Sequence, residues 1–395
     1  MQKNTEKKIY LGVGLIQAHF RGIFIGIISH GRKRHLRWLP IYNWEEVIPT
    51  DVDHYDGAVI TGSKAKTPLR QMKCPWVQVS ANEAPEADEI TVLVDNREIG
   101  RIAANHFLER GFREFAFFGI VSHWYSCERM EGFRERVGTC RVFDFPANEA
   151  RDFKQWLREL PQGTALFCAN DIYARNAIKT LRACGRQVPE EVAVAGVDND
   201  EIENLLSEIP ISSVDTRSEV VGAAAAETLE GLMKGKKPPQ TITLIPPGAM
   251  IVRQSSDILW IGDTRIAAAM AVIRDGACDR ISVEDVALQT GVSRRTLERR
   301  FQELLGRGIE SEMRRVRLQR AKQMLSETNM ALREVAEKAG FGDVFYFSTA
   351  FRKAEYMSPG EWRRQNRNLK MPPAPAVVNI DPKSIPKRLA KKTAQ

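Results

Sequence analysis

The chain has 395 residues, of which 43% are hydrophobic and 27% are charged, so it can form two or three globular domains. No apolar run approaches the roughly 20 residues of a membrane-spanning helix. The apolar stretch after the polar N-terminus is interrupted by Gly12, Gly14, Gln17 and His19 and is a poor signal-peptide core. Six scattered cysteines without a C-x-x-C pair argue against a disulfide framework or a zinc site. We therefore expect a cytoplasmic protein without a metal or another cofactor.

Residues 9–255 alternate short apolar runs with amphipathic stretches. The runs predict strands at 9–15, 57–61, 76–79, 115–119, 165–168 and 192–197. The stretches between them predict helices at 98–109, 171–184 and 219–234. The run 192–197 is apolar on both faces, as is typical of a strand buried in a parallel sheet. The alternation predicts parallel sheets of βαβ units, and about 245 residues are enough for two lobes.

The last third of the chain differs from the rest in pattern and in charge. Residues 256–264 are predicted to be a linker, and the pattern from 265 to 370 is helical throughout. The segment 265–370 carries 21 basic and 14 acidic residues, which favours a polyanionic partner, although a solvated basic surface has the same composition. Residues 1–8 are predicted to be a flexible N-terminus and 369–395 a disordered basic tail.

Residues 281–305 have the pattern of two short helices joined by a tight turn. Ser282 followed by Asp285 predicts a capping box, Gly291 a left-handed turn residue and Ser293 a second helix start. The spacing predicts a buried stripe of Leu297, Phe301 and Leu304. The open face then carries Arg294, Arg295, Glu298 and Arg299. A short helix with arginines in its first half suits contact with a DNA major groove.

The same pattern recurs 49 residues later, with Phe347 and Phe351 as the buried stripe. The matching pairs are Val286 and Val335, Ala287 and Ala336, Gly291 and Gly340, and Val292 and Phe341. Between the two units we predict a long helix over 309–326, basic on one side through Arg314, Arg315, Arg317 and Arg320. A helix of this length can hold two recognition helices about one DNA turn apart, roughly 34 Å.

Residues 265–368 resemble the DNA-binding domain of the AraC/XylS family. Its C-terminal signature is matched by Gly340-Phe341-Gly342-Asp343, Phe347-Ser348, Phe351-Arg352-Lys353, Ser358-Pro359 and Trp362-Arg363. The resemblance implies groove-facing Arg294, Arg295, Glu298 and Arg299 in the first unit, and Asp343, Val344, Tyr346 and Thr349 in the second. Many members have Arg or Lys near position 349, so Thr349 implies weaker base reading there. The alternative is an all-helical protein-interaction module.

The first 255 residues resemble the LacI-type regulatory core, which shares its fold with periplasmic sugar-binding proteins. The resemblance rests on 94–119, on 167–174 continued by 185–198, and on 210–214 with 253–256. It implies a two-lobed α/β sensor domain over 9–255, ahead of an all-α domain with two helix-turn-helix subdomains. The combination resembles the group of xylose-operon regulators. That group implies a pentose effector, control of sugar-catabolism genes, activation more often than repression, a homodimer, and DNA and RNA polymerase as partners.

Polar residues follow several of the predicted strands. In open α/β sheets, ligands bind beyond the carboxyl ends of the strands. Carboxylates and guanidinium groups suit vicinal sugar hydroxyls, and an aromatic ring suits an apolar sugar face. Together with the resemblance, this implies effector contacts from Arg21, Trp124, Glu128, Arg129, Asn170, Asp171 and Asp198. Helix capping, surface ion pairing and, for Trp124, a core position remain the alternatives.

Three other classes of protein fit less well. A periplasmic binding protein would carry a signal peptide and lack residues 265–368. An enzyme is disfavoured because the sequence has no G-x-S-x-G, no Walker A motif, no metal-ligand spacing and no complete dinucleotide fingerprint. A DNA-architectural protein would have no use for a ligand cleft. We expect a regulator that is not an enzyme, with a non-sugar effector or a cleft that no longer binds ligand as the remaining alternative.

Overall fold

The structure is a computed structural model that describes residues 6–43, 54–62, 65–86, 88–145, 150–258, 260, 264–368 and 378–379. The chain divides into two compact units, Met1–Asp257 with Ala374–Gln395, and Ile258–Pro373. The first unit ends within the segment 256–264 that the sequence marks as a linker. Of the predicted flexible N-terminus and basic tail, residues 1–5, 369–377 and 380–395 lie outside the described residues.

The first lobe of the first unit is built on a seven-stranded sheet. Its strands are β1 (Lys7–Gly12), β2 (Trp38–Tyr42), β3 (Gly57–Ile60), β4 (Trp76–Gln78), β5 (Thr91–Val94), β11 (Ile242–Ile245) and β13 (Val378–Asn379). They lie in the order β13-β11-β5-β4-β3-β1-β2, and every pair is parallel except β13 with β11. The helices of this lobe are α1 (Ala18–Lys33), α2 (Lys66–Gln71) and α8 (Ser218–Met233).

The second lobe is built on a six-stranded sheet. Its strands are β6 (Glu114–Gly119), β7 (Arg141–Asp144), β8 (Thr164–Cys168), β9 (Val192–Val197), β10 (Ser212–Val214) and β12 (Met250–Ile251). They lie in the order β12-β10-β9-β8-β6-β7, with only β12 antiparallel to its neighbour. Its helices are α3 (Asn96–Glu109), α4 (Trp124–Val137), α5 (Ala150–Arg158), α6 (Asp171–Ala183) and α7 (Glu201–Leu206).

The two parallel sheets confirm the predicted two-lobed α/β architecture. All six residues of β9 are buried between β8 and β10, as the run of apolar residues on both faces predicts. The chain passes between the lobes after β5, after β10 and after β11, so neither lobe is one continuous stretch of sequence. The first strand is shorter than predicted, since it ends at Gly12. The carboxyl ends of β1, β5, β8 and β9 carry the segments that form the cavity described below.

In the second unit, the described residues 264–368 are helical, as predicted. The helices are α9 (Thr264–Gly276), α10 (Val283–Thr290), α11 (Arg294–Leu305), α12 (Ile309–Glu327), α13 (Leu332–Lys338), α14 (Val344–Glu355) and α15 (Pro359–Asn368). There are two hydrophobic cores. The first half of α12 packs into one core through Ile309 and Met313, and its second half packs into the other through Ala321 and Leu325. One long helix therefore connects two helix-turn-helix subdomains.

Candidate functional site

The first helix-turn-helix is formed by α10 and α11, with the local structure that its sequence predicts. Ser282 and Asp285 form a capping box, in which the Ser282 side chain accepts from the Asp285 N–H and the Asp285 carboxylate accepts from the Ser282 N–H at 2.8 Å. Gly291 has φ +65°, a left-handed conformation that costs glycine little. Ser293 caps α11 by accepting from the Thr296 N–H. The turn that positions the recognition helix is thus specified locally.

The buried stripe of α11 is one residue shorter than predicted. Leu297 and Phe301 are fully buried beside Val286. Leu304, in the last turn, is 41% exposed, so its predicted burial is wrong. Helical spacing fixes which residues share a face, but it does not fix where a helix passes beyond its neighbours.

Arg295 differs from the other predicted groove-facing residues of α11. Arg294 pairs with Glu298 on the same helix at 2.7 Å and also with Glu284 on α10. Arg299 pairs with Glu303 at 2.9 Å. All four predicted residues of this face are exposed, but among the ion pairs and hydrogen bonds found in the described part of the chain Arg295 has none. Its guanidinium donors are therefore not engaged within the described part of the chain.

The second helix-turn-helix, formed by α13 and α14, contains one more turn residue than the first. Val335, Ala336 and Phe341 are buried at the predicted offset of 49, and Gly340 has φ +80°. Gly342, with φ +74°, is then inserted before the helix. The cap and the buried stripe of α14 consequently follow those of α11 at an offset of 50. The pairs at this offset are Ser293 and Asp343, Leu297 and Phe347, and Phe301 and Phe351.

This register changes the exposed face of α14. Asp343, predicted to face the groove, is the N-cap, and its carboxylate accepts from the Tyr346 N–H at 2.7 Å. Thr349 is exposed, Tyr346 is 51% exposed and Val344 is half-buried. The sequence analysis did not include Phe345, which is 80% exposed at the position equivalent to Arg295. The offset of 50 in the signature, set by Gly342, was the signal that could have identified it.

Part of the predicted basic side of helix α12 makes contacts within the protein. Arg317 donates to the carbonyl oxygens of Ala277 at 2.8 Å and Ile281 at 3.3 Å, in the segment between α9 and α10. Arg315 pairs at 2.8 Å with Glu312, whose side chain is fully buried. These two guanidinium groups therefore serve internal contacts.

The turn of the second subdomain also packs against the first. A Cβ at Gly340 would lie 2.7 Å from the Ala277 carbonyl oxygen and 2.9 Å from the Cα of Cys278, whereas a Cβ at Gly291 would meet nothing within 4 Å. Gly340 therefore combines a left-handed backbone with a close approach between the subdomains.

In the first unit, a cavity lies where the two lobes meet. The first lobe contributes the segment after β1, the residues after β4 and the end of β5. The second lobe contributes the starts of α3 and α4 and the loops after β8 and β9. The lining residues are Gln17, His19, Phe20, Val79, Ala81, Asn82, Leu93, Val94, Asn96, Tyr125, Arg129, Asn170 and Asp198. Of the seven predicted effector contacts, Arg129, Asn170 and Asp198 line this cavity.

Arg129 is the buried cation of the cavity, with a side chain that is 4% exposed. Its Nε donates to Asn96 Oδ1 at 2.9 Å, and its Nη1 donates to the Ala169 carbonyl oxygen. The guanidinium also lies over the Tyr125 ring, 5.0 Å from the centroid. These partners hold the guanidinium plane in a fixed orientation, as a bidentate contact to vicinal hydroxyls requires.

Asp198 supplies the acidic group opposite Arg129. It follows β9 with φ +104°, and its Oδ1 lies 3.8 Å from Arg129 Nη2. Among the described residues this buried oxygen has no hydrogen-bond partner. Burial raises the pKa of Asp198 to about 6, and Asp200 and Asp215 act in the same direction, while Arg129 opposes them. A buried carboxylate oxygen without a donor is a natural acceptor for a ligand hydroxyl.

The other four predicted effector residues lie outside the cavity lining. Arg21 bonds both carboxylate oxygens of Asp200 at 3.0 Å. Glu128 lies 3.6 Å from Arg97 between α3 and α4. Trp124 packs against the Leu93, Ile242 and Leu244 cluster. Asp171 is buried and accepts from the Asp200 N–H and the Ser213 hydroxyl. The partners found for Arg21 and Glu128 fit the ion-pair alternative, and those of Trp124 fit the core alternative. Both bonds to Asp171 go to Oδ2, and its buried Oδ1 has no hydrogen-bond partner among the described residues.

Ten of the thirteen lining residues are not among the predicted effector contacts, and three of these ten carry rings. Phe20 and Tyr125 provide aromatic rings, and His19 bonds Thr216 Oγ1 at 3.2 Å through its Nδ1. Burial, with Arg129 nearby, lowers the pKa of His19 to about 3, so the imidazole is neutral. Phe20 directly precedes the predicted contact Arg21, and Tyr125 directly follows the predicted contact Trp124. Only the fold shows which residue of each pair faces the cavity.

Backbone and side-chain bonds join the two lobes around the cavity. The first N–H groups of α4 have no partner within the helix. Instead, Trp124 donates to the Asn82 carbonyl oxygen at 3.0 Å and Tyr125 donates to that of Ala81 at 2.8 Å. With the Arg21–Asp200 pair, these bonds hold the lobes in contact in this structure.

Within the described residues, no cluster of three or more His, Cys, Asp or Glu side chains has a metal-binding arrangement. Among the described helices, none combines the length and the apolar character needed to span a bilayer.

Comparison with known proteins gives matches to both units. A family described as a periplasmic binding protein-like domain matches residues 104–256, and one described as a helix-turn-helix domain matches residues 286–365. The xylose operon regulatory protein of Haemophilus influenzae is 31% identical over 287 residues, which are 69% of this chain and 74% of that protein. The Escherichia coli K12 protein of the same name is 30% identical over 293 residues, covering 70% and 74%. A solved structure of a xylose-binding transcription activator, xylR, matches with a TM-score of 0.72 and 26% identity, covering 92% of this chain and 99% of that one.

Proposed function

The chain belongs to the family of the xylose operon regulatory proteins, AraC-type transcription regulators with a periplasmic-binding-protein-like sensor, and we propose that its effector is a pentose such as xylose, bound in the cavity between the sensor lobes. The relatives carry xylose in their names. The effector changes the binding of the C-terminal domain to its operator and activates sugar-catabolism genes.

The opposed Arg129 and Asp198 side chains carry this proposal. Both side chains line one cavity, with Arg129 Nη2 3.8 Å from Asp198 Oδ1, and no donor to this oxygen is found among the described residues. Two adjacent hydroxyls of a sugar can accept from the guanidinium and donate to the carboxylate, and such charge-assisted bonds are strong. Phe20 and Tyr125 add apolar surface for the C–H face of the ring. A pentose combines these two kinds of surface in one small molecule.

The coupling from sugar to DNA follows from the lobes. A sugar that contacts both lobes favours the arrangement in which they are together, and it shifts the protein only by its differential affinity for that arrangement. In a cytoplasmic homodimer this change alters how the two DNA-binding domains span the operator and present themselves to RNA polymerase. Because each subunit has two recognition helices in tandem, the operator half-sites are direct repeats.

For the DNA contacts, we propose α11 as the main recognition helix and α14 as the second. On α11, Arg295 reads a base, while Arg294, Glu298 and Arg299 complete the contact surface. On α14 the surface consists of Val344, Tyr346 and Thr349. Arginine commonly makes a bidentate contact to guanine in the major groove, and the exposed Arg295 has the donors for it.

Thermal-shift measurements on the full-length protein test the effector assignment, with a panel of pentoses, hexoses and sugar alcohols. A ligand at a hundred times its dissociation constant stabilises the folded protein by about 2.7 kcal/mol. We expect the shift for one pentose, and we expect Asp198→Asn to abolish it. Glu208→Gln removes a charge from an exposed carboxylate of the same lobe and should leave the shift intact.

Two outcomes would contradict the assignment. A shift only with a compound that is not a sugar would replace the pentose by another effector. A pentose shift that survives in Asp198→Asn would place the sugar outside this cavity.

A further inference from the structure

Phe345 lies where the second recognition helix presents its equivalent of Arg295. The register is fixed by the caps Ser293 and Asp343 and by the buried residues that follow each of them by four and eight positions. Two residues after each cap stand Arg295 and Phe345. Arg295 and Phe345 therefore occupy equivalent positions in the first turn of the second helix of each helix-turn-helix.

The Phe345 side chain is unusually exposed for its type. It is 80% exposed, whereas Phe347 and Phe351 on the same helix are fully buried. Phe341, Tyr346, Phe347, Phe351 and Trp362 form a chain of ring contacts, and among the described residues Phe345 takes part in none of them. The ring therefore contributes little to the core, and its apolar surface is available to a partner.

The surrounding face favours an uncharged target. Residues 344–350 include no Lys or Arg, whereas the equivalent stretch of α11 has four arginines. An α14 face of Val344, Phe345, Tyr346 and Thr349 cannot make the guanidinium contacts that read guanine. Among the groups at the floor of the major groove, the C5-methyl of thymine is the apolar one, and phenylalanine is among the side chains that contact it.

We propose that Phe345 reads thymine through its C5-methyl group, so that the half-site under α14 is specified by apolar contact while that under α11 is specified by guanidinium contacts. This inference rests on the proposed DNA-binding role of the second helix-turn-helix, formed by α13 and α14. It assigns a base preference to the weaker of the two recognition helices. Because the contact is uncharged, removing Phe345 should lower affinity without changing its salt dependence, unlike removal of an arginine.

Deoxyuridine tests the methyl group directly, because it differs from thymidine only by that group. The full-length protein first selects a preferred duplex from a random pool. Each thymine of that duplex is then replaced singly by deoxyuridine, and the dissociation constants are measured for the wild type and Phe345→Ala. Leu288→Ala serves as the control, since Leu288 is an apolar side chain, 83% exposed, on a helix that is not the recognition helix.

We expect deoxyuridine at one or two thymines of a single half-site to weaken wild-type binding about fourfold, as burial of one methyl group predicts. At those positions the substitution should cost Phe345→Ala nothing, while Leu288→Ala should behave as the wild type. If every deoxyuridine weakens binding equally in the wild type and in Phe345→Ala, this inference alone would be overturned. Such a result would indicate that the exposed Phe345 contacts a protein partner instead. A pool that yields no preferred duplex would overturn the DNA-binding role and this inference with it.

Discussion

The ion pair between Arg21 and Asp200 joins the two sensor lobes without lining the cavity. Arg21 lies on α1 of the first lobe, and its Nη2 is 3.0 Å from both carboxylate oxygens of Asp200, the N-cap of α7 in the second lobe. The side chains are 30% and 7% exposed. A hydrogen-bonded charge pair that is partly screened in this way contributes about 1–2 kcal/mol. Arg21→Ala should disfavour the joined arrangement of the lobes by that amount.

If the pentose binds only when the lobes are together, the loss appears in the sugar affinity. The ratio of joined to separated lobes falls by about 5- to 30-fold, and the apparent dissociation constant for D-xylose rises by up to the same factor. Titration calorimetry on the full-length protein measures this change. Asp200→Asn, which keeps an acceptor for the Ile202 N–H, should give a similar loss. In the double variant the two losses should not add, because both remove one interaction.

The matched control is an ion pair inside one lobe. Arg182 and Glu208 lie 2.8 Å apart, both in the second lobe, so Arg182→Ala should leave the sugar affinity unchanged. An Arg21→Ala protein that binds D-xylose as tightly as the wild type would refute the reasoning, as would an equal loss in Arg182→Ala.

Three further predictions concern the recognition helices and the cavity. Gly291→Ala should lower the local stability of the second unit by about 1–2 kcal/mol, because alanine is disfavoured in a left-handed backbone. Gly340→Ala should lower it further because its Cβ meets backbone atoms. Hydrogen exchange on the full-length protein compares the two variants, and equal losses would contradict the close approach. Arg295→Ala should weaken operator binding tenfold or more and reduce the slope of log K against log salt by about 1. Fluorescence anisotropy measures both, with Arg182→Ala as the charge-matched control, and an unchanged affinity would remove Arg295 from the interface. Sugar affinity should fall as the pH drops below about 6, the pKa of Asp198, because protonation removes an acceptor lone pair and the negative charge. Calorimetry across pH 5–8 measures this dependence, and an affinity that does not change with pH would argue against a contact to the carboxylate.

Titration of the same carboxyl group also affects the stability of the sugar-free protein, in the direction opposite to its effect on sugar affinity. Its folded-state pKa of about 6 lies above the ordinary value of 3.8, so the native state holds more protons than the unfolded state between those pH values. Without sugar, the contribution of Asp198 to stability therefore decreases as the pH rises from about 4 to 6. Bound sugar should reduce this decrease, since hydrogen bonds to the carboxylate favour its charged form.

The helix-turn-helix units could be predicted in detail because their determinants are local. Ser282, Gly291 and Ser293 act on backbone groups within a few residues of themselves, and each has the predicted role. The extra turn residue Gly342 is likewise visible in the sequence, but the exposure of Leu304 depends on where α11 passes beyond its neighbours. That information is tertiary.

The cavity could be predicted only in part. Asp198 and Asn170 follow the carboxyl ends of buried strands, where topology alone directs them toward a ligand, and both line the cavity. For Arg21 and Glu128 the partners are Asp200, 179 residues away, and Arg97 on a neighbouring helix. No sequence spacing distinguishes such a charge from one that faces a ligand.

The most direct test of the account is the operator affinity of the full-length protein, measured with and without D-xylose, for the wild type and for Asp198→Asn. We expect the sugar to change the wild-type affinity, and we expect Asp198→Asn to bind the operator with its sugar-free affinity under both conditions. A wild-type affinity that no pentose alters, or an Asp198→Asn protein that still responds to D-xylose, would contradict it.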